Sequence, residues 1–78
     1  MKDKLRDYEV GDSVVILGYT EGDRRYRNKL LSMGLTKGCV IKLVKVAPLG
    51  DPVEIEVRGY GLSLRKGEAD ALIVGGKI

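Results

Sequence analysis

The stretch Val53-Glu54-Ile55-Glu56-Val57-Arg58 alternates apolar and charged residues with a period of two. That period places Val53, Ile55 and Val57 on one side of a β-strand and the charges on the other, so one face is buried and one is wet. Further apolar runs at 14–17, 39–46, 60–64 and 71–74 are separated by glycine, proline and polar turns. The run at 39–46 is two-sided: Val40, Val44 and Val46 share one face, Ile41 and Leu43 the other, with Lys42 and Lys45 interrupting both. A flat sheet exposes one of these sets. A strongly bent strand, or a bulge near Lys42, would let both reach a core.

Residues 47–52, Ala-Pro-Leu-Gly-Asp-Pro, form a stiff loop, and Pro52 cannot donate to a ladder. The strands on either side therefore read as a hairpin, and if Val46 faces Val53, Lys45 lies opposite Glu54. Val14 to Leu17 read as a short buried strand that Gly18 ends. Thr20 is the expected N-cap of a helix, with Asp23 three residues on in a near capping box and Glu21 beside the positive end of the dipole. Tyr26, Leu30 and Met33 make one apolar stripe. Gly34 closes the helix, and Leu35 folds back on Leu30 in a Schellman motif. Tyr60, Leu62 and Leu64 alternate with Gly61, Ser63 and Arg65 in a fourth strand; 66–70 hold one helical turn at most; 71–74 close the sheet. Short strands in a chain of 78 residues hide their edges by curling round. The expected fold class is all-β, a small SH3-like barrel of about five strands with one short helix inserted after the first strand. The domain is expected over 8–74, with a frayed charged N-terminus at 1–7 and a loose tail at 75–78.

Composition excludes most chemistry. One domain is all that 78 residues support. There is no His and one Cys, so no imidazole base, no His or Cys zinc cage and no disulfide is available. No P-loop is present, and Ser13, Ser32 and Ser63 have no base to activate them. Cys39 reads as a small buried hydrophobe. The longest stretch without a charge runs from Ser13 to Thr20, too short to span a bilayer, and the charged start Lys2-Asp3-Lys4 does not read as a signal peptide. A reduced, cytoplasmic setting is expected, with no catalytic residue, no cofactor and no metal site.

What remains is contact chemistry. Lys and Arg number 14 against 11 Asp and Glu, a mild excess in which Arg24, Arg25, Arg27 and Lys29 make the dense cluster. That cluster is either a solvated helix face or a contact surface for an acidic partner. With so small a net charge no nucleic-acid partner is expected; weak, steeply salt-dependent binding would be its mark. Asp51, Glu54 and Glu56 lie close in sequence, but alternating acids on a wet strand face are ordinary. Tyr8 and Tyr60 offer an aromatic platform, whereas Tyr26 belongs to the helix stripe and reads as core. Leu49, at the hairpin tip between Pro48 and Gly50, is either presented to a partner at low entropic cost or folded back over the barrel mouth.

The segments Leu30-Leu31-Ser32-Met33-Gly34-Leu35, Val46-Ala47-Pro48-Leu49-Gly50-Asp51-Pro52-Val53, Arg58-Gly59-Tyr60 and Leu62-Ser63-Leu64-Arg65, with Gly38, Glu68-Ala69 and Ile73-Val74, resemble the ferrous iron transport protein A family, FeoA. The resemblance implies a small cytoplasmic protein that works with FeoB, a membrane ferrous iron transporter carrying a cytosolic guanine-nucleotide-binding domain. It brings no catalytic residues. It also resembles the last domain of diphtheria-toxin-repressor-type regulators, which makes a metal-binding or sensing domain the alternative. The residues expected to meet a partner are Arg24, Arg25, Arg27, Pro48, Leu49, Gly50, Asp51 and Tyr60.

Overall fold

The computed structural model describes residues 3–22 and 24–77. Asp23, half of the expected capping box, lies outside them, as do Met1, Lys2 and Ile78. Five strands, β1 (Ser13–Tyr19), β2 (Val40–Val46), β3 (Val53–Val57), β4 (Tyr60–Leu64) and β5 (Leu72–Gly75), form one antiparallel sheet in the order β4-β3-β2-β1-β5. Helix α1 (Arg24–Ser32) follows β1 and the short helix α2 (Lys66–Asp70) joins β4 to β5. The sheet curls into the small SH3-like barrel expected, with one inner face on the core and the other in solvent.

Val53, Ile55 and Val57 are buried between exposed Glu54 and Glu56, as the alternation requires. Lys45 does lie opposite Glu54, and Val46 opposite Val53. The β3–β4 hairpin turns on Arg58 and Gly59, both at positive φ (50° and 83°). That is the two-residue turn whose twist matches the strands. Gly34, at φ 83°, ends α1. Gly34 N–H donates to the Leu31 carbonyl at 3.0 Å and Leu35 N–H to the Leu30 carbonyl at 3.0 Å, the two bonds of a Schellman motif. Leu30 and Leu35 are both fully buried.

Several expectations fail, for physical reasons. The strand β1 is not a continuous buried run ended by Gly18. It continues to Tyr19 across a register shift against β5 between Ile16 and Gly18, and its side chains alternate in and out, which places Leu17 outside. In β2 the bulge falls at Val44, two residues beyond the expected place. It does not bring both apolar sets inside: Ile41 and Leu43 are buried, while Val40 and Val44 stay exposed, because a single curled sheet has only one inner face. Tyr26 is exposed, lying across Gly67 of α2, where a Cβ would stand 2.8 Å from the Tyr26 hydroxyl. Cys39 is half-buried at the core margin.

The described part of the N-terminus is not frayed. Leu5–Asp7 form a 3-10 turn that drives Leu5 into the core at 1% exposure. Val74 N–H donates to the Asp3 carbonyl at 3.0 Å and Lys4 Nζ to the Asp70 carbonyl at 3.0 Å, which stitches this segment to β5 and α2. Nor is the tail loose where it is described: Gly75 pairs with Val15, and Lys77 Nζ lies 3.2 Å from Asp12 Oδ1.

Candidate interaction surface

The β2–β3 loop is built from the inside. Gly50 N–H donates to the Ala47 carbonyl at 2.8 Å and Ala47 N–H to the Pro52 carbonyl at 3.1 Å, so the backbone groups that face inward are satisfied within the loop. Asp51, though exposed, reaches toward α2. Its Oδ1 accepts from Lys66 N–H at 3.2 Å and stands 3.8 Å from Arg65 Nη1. Asp51, one of the residues expected to meet a partner, thus also anchors the loop. With both ends tied, the loop carries Leu49 at its tip, 90% exposed. The presented orientation holds, and the folded-back one does not.

Beside Leu49 the barrel mouth opens as a groove of about 220 Å³, with Leu5, Leu43, Val46, Val53 and Ala69 in its wall. The bulge at Val44 makes this wall possible. It returns Val46 to the inner side opposite Val53, where it stays partly exposed at the groove. Arg6, Lys66 and Asp70 supply its polar part, with Arg6 Nη1 3.8 Å from Asp70. Sequence reasoning missed the groove because Leu5 sits in a segment read as frayed. The signal was there: Leu5 is the one apolar residue between Lys2 and Asp7.

The basic cluster is divided by the turn of the helix. Arg24 and Arg27 line a second cleft of about 510 Å³ together with Lys37, Tyr19 and Leu17. Arg25 lies instead in a shallow depression with Tyr26, Lys29 and Glu68. Arg27 Cζ stands 5.9 Å from the centre of the Tyr19 ring. Tyr19 donates its hydroxyl to the Leu35 carbonyl. Burial raises its pKa, and the Arg27 charge offsets part of the rise. Lys37, which the sequence did not single out, completes the positive side of this cleft. Tyr60 belongs to neither cleft; its hydroxyl donates to the Met33 carbonyl at 3.4 Å.

Among the described residues no three His, Cys, Asp or Glu side chains converge as metal ligands. Glu54 and Glu56 stand in register with Lys45 and Lys42 on the wet face. No helix among the described residues is long and apolar enough to cross a membrane.

The model of the FeoA domain matches residues 4–75 of the chain. The Fe(2+) transport protein A/Fe(2+) transporter FeoB fusion protein of Porphyromonas gingivalis is 38% identical over 66 residues, 85% of this chain; the match spans 8% of that protein's length. The solution structure of a FeoA-like protein from Clostridium acetobutylicum superposes with a TM-score of 0.83 and 35% identity, over 96% of this chain and 88% of that one. A manganese-dependent transcriptional repressor superposes with a TM-score of 0.85 at 15% identity, over 92% of this chain and 35% of that one, a likeness of fold alone.

Proposed function

This chain belongs to the FeoA domain family, and from that premise we propose that it is a non-enzymatic accessory of ferrous iron uptake that acts by contact with a FeoB-type iron(II) transporter on its cytosolic side. The observation that carries the reading is Leu49, held almost fully exposed on a loop tied down by Asp51, at the lip of an apolar groove. An apolar side chain fixed in solvent lowers the ordering cost of binding, since the loop does not have to be immobilised on contact. A partner's apolar residue entering the groove would meet Leu5, Leu43 and Val46. The cleft of Arg24, Arg27 and Lys37 would draw in an acidic segment of the same partner. That a relative carries both transport protein A and the transporter in one fused chain supports a working association of the two.

The test is capture of the purified cytosolic part of a FeoB-type transporter by this protein, without nucleotide and with GDP or a non-hydrolysable GTP analogue. Saturable binding in at least one state is expected. No binding in any state at high protein concentration defeats the proposal.

A further inference from the structure

One end of the barrel gathers positive charge that the fold does not use. Arg24 and Arg27, three apart on α1, and Lys37, from the loop before β2, line the cleft of about 510 Å³. That volume is typical of a small-molecule site. Among the described residues none of these three cations is in an ion pair. Like charges one turn apart on a helix repel, so the cluster costs the fold stability. Two of the three also rest on fixed groups. Arg27 Cζ stands 5.9 Å from the centre of the Tyr19 ring, whose hydroxyl is spent on the Leu35 carbonyl. Lys37 Cε passes 3.6 Å from the place where a Cβ on Gly18 would stand, so the lysine stem rests against β1. Leu17, exposed, and Ile73, half-buried, give the same cleft an aliphatic wall.

We infer that this cleft is a phosphate-binding site, which takes a phosphoryl group carried on an organic body. Three cations against one carboxylate in the wall, Glu21, leave an excess of two positive charges among the described residues. A phosphate monoester carries about −1.5 to −2 at pH 7 and three strong acceptor oxygens, one for each cation. The arginine fork suits it, because two parallel N–H groups reach two of its oxygens together. A single carboxylate brings one charge and two oxygens, and leaves a cation unanswered. Leu17 and Ile73 give the carbon part of the ligand apolar surface to cover, which a bare ion would not use. A soluble phosphomonoester and a lipid headgroup share this chemistry, and the experiment separates them. An acidic peptide segment is the rival occupant. The inference does not rest on contact with the transporter through Leu49, since the cleft and the groove beside Leu49 have no residue in common.

Three probes are titrated into the full chain at one fixed ionic strength: phenyl phosphate, vesicles of phosphatidylcholine with and without phosphatidic acid, and hexaglutamate. Saturable one-to-one binding of phenyl phosphate with a Kd of about 1 mM or below is expected for a soluble ligand. Retention on the phosphatidic acid vesicles alone assigns the site to a lipid headgroup. Arg27→Gln and Lys37→Gln, on separate elements, should each weaken binding at least about tenfold. Both residues are exposed, so the thermal midpoint should stay near that of the parent, and if one variant fails to fold the other decides. Lys45→Gln removes the same charge from the wet face of β2 and should change binding less than about twofold, since salt screens distant charges. Leu49→Asp should bind phosphate as the parent does, so failure here and failure of the transporter contact are read separately. The inference is overturned if neither phosphate probe binds, whether or not hexaglutamate does. It is also overturned if the folded Arg27 and Lys37 variants bind as the parent does, or if Lys45→Gln weakens binding as much as they do.

Discussion

Lys29 Nζ lies 2.5 Å from Glu68 Oε2, and the same carboxylate accepts from Arg65 N–H through Oε1 at 2.8 Å. One side chain thus caps α2 and ties α1 to it. Glu68 is the buried charged residue of the core region, with 5% of its side chain exposed, while Lys29 remains 56% exposed. Burial alone would raise the Glu68 pKa. The hydrogen bonds from Lys29 and Arg65 and their charges outweigh it, and the net shift is downward from the usual 4.5.

A carboxylate whose folded value is depressed stabilises the fold fully above its unfolded value, and that contribution is lost as the pH falls through the folded value. Glu68→Gln should therefore lower stability at pH 7 by about 1–3 kcal/mol, toward the lower end because solvent at Lys29 screens the pair. The gap between parent and variant should close as the pH is lowered below 4.5. Urea titrations across the acid range check this. A gap that is constant with pH would mean that the charge of Glu68 contributes nothing.

Leu5→Ala probes the N-terminal turn. Leu5 is 1% exposed inside the core and also walls the groove. Truncation should cost about 2–5 kcal/mol, the range for a buried leucine. A frayed terminus would lose nothing, so chemical denaturation separates the two.

Gly34→Ala tests the end of α1. At φ 83° a Cβ is strained, and it would stand 3.1 Å from Arg58 Nη1, which itself donates to the Gly34 carbonyl at 3.3 Å. A loss of about 1–2 kcal/mol is expected from the left-handed backbone alone. Thermal unfolding reads it directly.

Leu49→Asp separates surface from core. Leu49 buries almost nothing, so the thermal midpoint should stay within the small range of surface substitutions, about ±0.5 kcal/mol in stability. Capture of the transporter fragment should fall at least about tenfold, because a charge then replaces the presented apolar group. Binding that is unchanged would remove the loop from the contact surface.

Much of this was legible in the chain. The alternation of 53–57 and the Gly34-Leu35 signal are local, and local geometry decides them: a strand has a period of two, and a helix closed by a left-handed residue returns its next side chain to the last turn. The placement of Lys45 opposite Glu54 followed from the same hairpin. The position of the bulge was not legible, since Lys42 and Val44 are equally compatible with the pattern, and only the pairing with Ile55 and Glu54 chooses Val44. The groove was hidden for a related reason. Its wall draws on the N-terminal turn, β2, β3 and α2, four segments that no window of sequence brings together.

The order of apolar and polar residues, by itself, determined a curled antiparallel sheet with α1 after its first strand, and the composition leaves the chain without imidazole and without a second thiol. The fold decided which side of each strand meets the core, that Asp51 anchors while Leu49 is shown, and that the edge of β5 is engaged while Arg24, Arg27 and Lys37 gather at one cleft. The division is physical: periodicity is written in neighbours along the chain, whereas burial, hydrogen-bond satisfaction and edge exposure depend on segments that meet only after folding.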